Sequence, residues 1–180
     1  MKRLPNILTI FRIVALPILI FLILSQDLNF YALILFIAIS ASDFFDGYFA
    51  RMLNVESSFG KMLDPIADKL FIIIVIICLM INGKIDNLSL IPGFLIISRE
   101  VFISGLREYY GSKSQNLVIN VSILGKIKTA VQMISLFLIL IAPMSSHFNN
   151  QLLNFGLVIL WIAMILSIIS GYQYYKAATN

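Results

Sequence analysis

The feature that most limits the fold of this chain is a series of apolar stretches, each long enough to cross a lipid bilayer. A transmembrane helix needs roughly 20 mostly apolar residues, because its backbone groups must be hydrogen-bonded inside the hydrocarbon. Of the 180 residues, 60% are hydrophobic and 12% are charged, whereas an average soluble domain has about 25% charged residues. The sequence therefore predicts an all-α membrane protein with six transmembrane helices in one bundle. In chain order, the six predicted spans are residues 9–24, 30–50, 62–81, 88–106, 123–141 and 152–172.

Short connections between these spans predict a single membrane domain over residues 1–180. Lys and Arg placement indicates the orientation, because cytoplasmic loops are enriched in these residues. With both termini cytoplasmic, Lys84 alone falls on the opposite side and Arg99 lies within a span. The remaining cations fall at cytoplasmic ends and are Lys2, Arg3, Arg12, Arg51, Lys61, Lys69, Arg107, Lys113, Lys126, Lys128 and Lys176. We expect the protein to lie in a bacterial-type cytoplasmic (inner) membrane. We also expect its net charge of +4 to interact with membrane lipids rather than with nucleic acid.

Four aspartates lie within this apolar sequence, at Asp43, Asp46, Asp64 and Asp68. A carboxylate at the centre of a bilayer costs about 2.5–3.5 kcal/mol on insertion scales, so a compensating partner is needed. On helices, the first two share one face and the last two share another. Hard divalent cations prefer oxygen ligands, so the pattern favours a metal site near the cytoplasmic face. The small residues on these faces, which would leave a groove for a ligand, are Gly47, Ala50 and Gly60.

Other interpretations of the aspartates stay open at this point. In one, the protein is a structural membrane subunit, and the carboxylates form buried ion pairs with Arg51, Lys61 and Lys69. In the other, the protein is a divalent-cation transporter, and the carboxylates line its ion path. Three cations leave four anions underpaired, and no carboxylate continues through the membrane, so the metal site of an enzyme is favoured.

A second set of charges lies at the ends of the fourth and fifth spans. Arg107 ends the fourth span, and Lys126 and Lys128 open the fifth. Two residues apart on a helix, the lysines diverge by about 200°, so one faces the bundle while the other reaches the headgroups. A phosphate pocket and a positive-inside anchor pair both explain these cations. Arg99 and Glu100 lie in mid-span, where each needs an interhelical partner or a polar cavity.

The opening stretch LPNILTIFR predicts an interfacial lead-in to the first span. Pro5 suits the first turn of a helix, where its missing N–H is not needed. Asn6 or Thr9 would then face the polar headgroups.

The aspartate segment resembles the signature of the CDP-alcohol phosphatidyltransferases, D-x2-D-G-x2-A-R-x8-G-x3-D-x3-D. All eight fixed positions are filled, by Asp43, Asp46, Gly47, Ala50, Arg51, Gly60, Asp64 and Asp68. The stretches LPNILTIFR, LDPIADK, SREVFISGLRE and GKIKTA are similar to flanking stretches of one member of the family, so the resemblance extends over most of the chain. It implies a six-helix homodimer.

The resemblance also implies a reaction and a role for individual residues. A phosphatidyl group would pass from CDP-diacylglycerol to sn-glycerol 3-phosphate, with phosphatidylglycerol, serine or an inositol derivative as alternative acceptors. Two divalent cations, Mg²⁺ or Mn²⁺, would be bound by Asp43, Asp46, Asp64 and Asp68, and Asp68 would also take the proton of the acceptor alcohol. CDP-diacylglycerol would be bound by Gly47, Ala50, Arg51, Gly60 and Asn6. The phosphate of the acceptor would be held by Arg107, Lys126 and Lys128.

Overall fold

A computed structural model describes the backbone of residues 4–53, 58–113, 123–145 and 147–179. Side chains are described for residues 9–25, 27–42, 63–110, 123–145 and 147–177. Over these residues the chain is helical and contains no strand, which confirms the predicted all-α class. The helices are α1 (Leu4–Leu24), α2 (Asn29–Leu53), α3 (Ser58–Ile81), α4 (Leu90–Lys113), α5 (Ile123–Ile141) and α6 (Asn149–Thr179). Short 3-10 turns lie at Gln26–Leu28, Asn87–Ser89 and Ala142–Met144.

Several helices continue past the apolar stretches that predict them. The fourth apolar stretch is predicted over residues 88–106, but α4 runs on to Lys113. Arginine and glutamate are good helix formers, so Arg107 and Glu108 continue the helix beyond the apolar stretch. Likewise, α1 begins at Leu4, ahead of the first apolar stretch. Hydropathy therefore marks the membrane-embedded part of a helix and not its ends.

Within the part of the chain that the structure describes, three helical segments are long and apolar enough to cross a membrane. They are Asn87–Tyr110, Ile123–Met144 and Asn149–Ala177. Two further apolar segments, Thr9–Leu24 and Asn29–Ser42, are shorter. Large apolar side chains are exposed along these helices, which suits contact with acyl chains. The described residues fit an integral membrane protein, while six spans and cytoplasmic termini stay predictions.

The chain divides into two compact units, and the first comprises Met1–Lys84 with Pro143–Ser146. In this first unit α1 packs against both α2 and α3. Leu19 of α1 is completely buried, and the rings of Phe36 and Phe71 have centroids 5.2 Å apart between α2 and α3. An apolar core therefore holds α1, α2 and α3 together, and these helices carry the residues of the predicted metal site.

A glycine cap ends α3. Gly83 has φ of +69°, a left-handed conformation that glycine adopts without the steric cost of a Cβ. The backbone N–H of Lys84 donates to the carbonyl of Leu79 at 3.0 Å, as in a Schellman motif. The side-chain amide of Asn82 donates to the carbonyl of Ile23 at 2.8 Å, so this turn also holds the end of α1.

The second unit comprises Ile85–Ala142 with His147–Asn180, and in it α6 packs against α4 and α5. Gly156 allows α5 and α6 to approach closely, since a Cβ at this position would lie 2.8 Å from Cγ1 of Ile139. The hydroxyl of Ser135 donates to the carbonyl of Gly156 at 2.8 Å. Small residues commonly permit such close helix contacts in membranes. That residues 1–180 form one domain stays a prediction.

Candidate active site

The polar centre of the first unit lies where α1 meets α3. Arg12 follows Thr9 by three residues on α1, and Asp68 follows Asp64 by four on α3, so each pair shares a helix face. The guanidinium of Arg12 donates to Oδ1 of Asp68, and its Nη2 lies 3.3 Å from Oδ1 of Asp64. The hydroxyl of Thr9 donates to the same Asp64 oxygen. We call these four residues the acidic cluster, in which one arginine contacts two of the predicted aspartates.

The two sides of the acidic cluster differ in exposure. Arg12 is 2% exposed, whereas the side chains of Asp64 and Asp68 are 39% and 44% exposed. Thr9 is buried, as is Ala67 between the two aspartates. The carboxylates thus reach the surface of the unit while their counter-charge stays inside it. A cation or a polar ligand can approach the carboxylates without entering the core.

Sequence reasoning missed the role of α1 in this cluster. Arg12 was not among the expected ion-pair partners of the aspartates, and the expectation that Thr9 could face the headgroups is wrong, because its hydroxyl is buried against Asp64. The sequence does contain a signal for this contact, because a hydroxyl and a cation lie three residues apart in an apolar helix. A buried charge requires a partner, so these two residues indicate an acidic group on another helix. The side chain of Asn6 lies outside the described residues.

The donor set of the acidic cluster fits a divalent cation. Within the residues described, no group of three or more His, Cys, Asp or Glu side chains could hold a metal ion. Of the four predicted ligands, only Asp64 and Asp68 have side chains that the structure describes. Magnesium is usually bound through one or two carboxylates, with water and phosphate oxygens completing its shell. A carboxylate has two oxygens that accept several partners, so contact with Arg12 leaves room for a cation.

The other residues that were predicted to bind CDP-diacylglycerol or a metal ion have side chains outside the described part of the chain. They are Asp43, Asp46, Gly47, Ala50, Arg51 and Gly60. Their backbone is helical, within α2 for the first five and within α3 for Gly60. The helical spacing from which a shared face was predicted therefore holds at the level of the backbone.

A second polar cluster joins α4, α5 and α6 in the second unit. The buried ammonium of Lys128 donates to Oε1 of the buried Glu100. Nη1 of Arg99 lies 3.4 Å from the same Glu100 oxygen. Arg99 also donates through Nε to the carbonyl of Ser167 and through Nη2 to the hydroxyl of Ser170, both at 3.0 Å. We call these five residues the basic cluster; it supplies the interhelical partners that mid-span Arg99 and Glu100 were expected to need.

The three candidates for the acceptor phosphate have different surroundings. Lys128 is buried in the basic cluster, whereas Lys126 is exposed, as the two-residue spacing predicts. Arg107 is exposed, and its guanidinium lies over the ring of Tyr174 at 5.5 Å from the centroid. Lys128 is thus the candidate held at a defined position inside the unit.

Gln132 was not singled out from the sequence. It lies on α5 one helical turn after Lys128 and is buried. Among the described residues, neither atom of its amide has a hydrogen-bond partner, and the same holds for the hydroxyl of Ser167. An unpartnered amide in an apolar interior costs about 1–3 kcal/mol by mutational measures. The sequence contains a signal for this buried amide, because a glutamine four residues after a lysine in an apolar stretch lies on the same helix face.

Comparison with known proteins identifies the family of this chain. The model of the CDP-alcohol phosphatidyltransferase family matches residues 2–169. A protein of Rickettsia bellii is 45% identical over 178 residues, covering 98% of this chain and 95% of its own length, and one of Rickettsia felis is 46% identical with the same coverage. A protein of Cereibacter sphaeroides is 32% identical over 210 residues, covering 97% and 94%. All three are named CDP-diacylglycerol–glycerol-3-phosphate 3-phosphatidyltransferase. The chain therefore belongs to the CDP-alcohol phosphatidyltransferase family.

Proposed function

We propose that this chain transfers a phosphatidyl group from CDP-diacylglycerol to sn-glycerol 3-phosphate, giving phosphatidylglycerophosphate and CMP. The observation that carries the proposal is the 45% identity, over 98% of the chain, to the Rickettsia bellii protein named for this reaction. The acidic cluster supports it, because two carboxylates of the signature lie together at an accessible edge of the first unit. The enzyme acts in phospholipid biosynthesis.

In the proposed reaction, the acceptor hydroxyl attacks the phosphorus atom that carries the diacylglycerol. The bond from this phosphorus to the CMP oxygen breaks, and CMP leaves with the bonding electrons. Asp68 accepts the proton of the attacking hydroxyl. Its side chain is 44% exposed, so a substrate can reach it, and Thr9 and Arg12 restrain the two aspartates from the α1 side. Such positioning of reacting groups is a major part of phosphoryl-transfer catalysis.

The family generally depends on divalent cations. We assign two, Mg²⁺ or Mn²⁺, to carboxylates that include the accessible pair Asp64 and Asp68. When bound, such cations neutralise the diphosphate and make CMP a better leaving group. The complete set of proposed metal ligands is Asp43, Asp46, Asp64 and Asp68. The proposed contacts to CDP-diacylglycerol are Asn6, Gly47, Ala50, Arg51 and Gly60.

We assign the phosphate of sn-glycerol 3-phosphate to Arg107, Lys126 and Lys128. The basic cluster supports Lys128 most directly, because its ammonium is buried and is held beside Arg99 and Glu100. Charges in a buried setting interact more strongly than in water, which favours this residue over the exposed Lys126.

The membrane arrangement belongs to the same proposal. Six helices span a bacterial inner membrane, both termini are cytoplasmic, and the acidic cluster faces the cytoplasm, where nucleotides and sugar phosphates occur. The donor has a soluble head and two acyl chains, so its scissile bond lies at the membrane boundary. The working form is a homodimer.

The test of the proposal is substitution of Asp68 in purified protein. Asp68→Asn should lower CMP release from CDP-diacylglycerol and sn-glycerol 3-phosphate by about 10²–10⁴-fold, the usual contribution of a positioned base. Its thermal unfolding should change little, because Asp64 still faces Arg12. The matched control is Asp27→Asn, an exposed carboxylate in the turn after α1, which should keep wild-type turnover. Normal turnover in Asp68→Asn would remove the assignment of the base.

The identity of the acceptor is tested separately. Wild-type protein is supplied with CDP-diacylglycerol and, in parallel, sn-glycerol 3-phosphate, phosphatidylglycerol, serine or an inositol phosphate. CMP release should depend on sn-glycerol 3-phosphate. Incorporation of labelled serine or inositol phosphate into lipid would replace the proposed acceptor while leaving the donor half of the reaction intact.

A further inference from the structure

We infer that Arg12 is a built-in counter-ion of the Asp64–Asp68 pair, and that a divalent cation binding there must compete with its guanidinium. The inference rests on the proposed metal site, and it concerns what that site contains before the cation arrives. Arginine stays charged at any physiological pH and its planar guanidinium presents several donors, so one side chain can serve two carboxylates.

The contacts place the guanidinium on the oxygens that a cation would use. Arg12 donates a hydrogen bond to Oδ1 of Asp68, and Oδ1 of Asp64 accepts hydrogen bonds from both Arg12 and Thr9. A cation that bound these Oδ1 atoms would meet donors already in place. A cation bound through the second oxygen of each carboxylate would still lie close to a positive group.

Burial makes this competition strong. Arg12 is 2% exposed and approaches from the interior, whereas the carboxylates are exposed on their other side. Like charges a few ångströms apart repel far more strongly near a protein interior than in water. Arg12 therefore stabilises the carboxylate pair, and the contact between α1 and α3, when no cation is bound. By the same interaction it weakens the affinity of the site for its first cation.

The test is a Mn²⁺ titration of the full-length protein in detergent micelles, with free Mn²⁺ measured by electron paramagnetic resonance. Arg12→Gln removes the charge but keeps a hydrogen-bonding side chain, and the Kd for Mn²⁺ should fall by at least roughly tenfold, or about 1.4 kcal/mol. Arg12→Lys keeps the charge and should stay close to the wild-type Kd. Thr9→Val removes the neighbouring hydrogen bond without changing charge and should not tighten binding.

The outcomes separate this inference from the proposed function. Saturable binding in the wild type, with an equal or weaker affinity in Arg12→Gln, would overturn the counter-ion role alone, since a residue that only orients the ligands would weaken binding when removed. Absence of Mn²⁺ binding in the wild type, or binding that survives Asp64→Asn and Asp68→Asn together, would overturn the metal site and the inference with it.

A measurement on the wild type keeps the inference testable if Arg12→Gln does not fold. The side-chain Nη–H resonances of Arg12 in ¹⁵N-labelled protein, assigned by their loss in Arg12→Lys, should shift on addition of Mg²⁺, because these atoms contact the two carboxylates. Resonances that are unchanged at saturating Mg²⁺ would show that the cation binds away from the guanidinium, which overturns the competition.

Discussion

The acidic cluster and the basic cluster are built in opposite ways. In the acidic cluster one buried guanidinium, that of Arg12, serves two carboxylates that are about two-fifths exposed. In the basic cluster Arg99 and Lys128 share the carboxylate of Glu100, which is buried with Lys128. The first group has two partly exposed carboxylates around one buried cation, and the second has two cations around one buried carboxylate. The first is suited to capturing a cation and the second to holding helices together or to binding an anion.

The exposure of the charged side chains decides how much each cluster contributes to the free energy of unfolding. Exposed ion pairs contribute about 0–1 kcal/mol, because water solvates the separated charges well. A buried charge that loses its partner has no such solvation, and breaking a buried pair costs about 3–5 kcal/mol. The same substitution, a carboxylate to its amide, should therefore have different effects in the two clusters.

The largest expected effect is at Glu100. Glu100→Gln leaves Arg99 and Lys128 without their shared anion and should lower the free energy of unfolding by about 3–5 kcal/mol. Asp64→Asn, the matched change in the acidic cluster, should cost about 0–1 kcal/mol, because Asp64 is partly exposed and Asp68 still faces Arg12. Denaturant unfolding in detergent micelles measures both. Equal losses at the two sites would remove the distinction between the clusters.

An intermediate effect is expected at Gln132, next to the basic cluster. Its buried amide has no hydrogen-bond partner among the described residues, so Gln132→Met should raise stability by about 1–3 kcal/mol. Ser135, on the same face of α5, is the control, because its hydroxyl donates to Gly156 and Ser135→Ala should lower stability by about 0.5–1.5 kcal/mol. A loss of stability in Gln132→Met would show that the amide does have a partner.

The smallest expected effect is a pH dependence at Lys84, a partly buried cation of the first unit with a neutral partner. Its ammonium donates to Oδ1 of Asn29 at 2.7 Å, and burial lowers the pKa of Lys84 from its ordinary value of 10.5. Between the lowered pKa and 10.5 the unfolded chain binds more protons than the folded one, so stability rises with pH across that window. Below the window both states are charged and the desolvation cost is present in full.

Lys84→Met provides the comparison for this pH effect. The difference in melting temperature between wild type and Lys84→Met should move in favour of the wild type as the pH rises toward 10.5. A difference that is constant over this range would show that the ammonium is as well solvated in the folded protein as in the unfolded chain.

Much of this protein is predictable from its residues alone. The all-helical class follows from apolar stretches of bilayer length, because a chain in hydrocarbon must satisfy its backbone groups within helices or closed barrels. The opposite environments of Lys126 and Lys128 follow from the angular spacing of a helix. The family follows from the signature between Asp43 and Asp68, which holds at every fixed position.

The partners of the buried charges depended on packing. Arg12 and Asp64 are 52 residues apart, and nothing local in either segment indicates that α1 rather than another helix supplies the cation. The same holds for Lys128, which pairs with Glu100 across 28 positions. Packing also decided that the amide of Gln132 is buried without a partner among the described residues. A sequence shows that a charge in an apolar helix must be compensated, but the choice of partner depends on which helix faces meet.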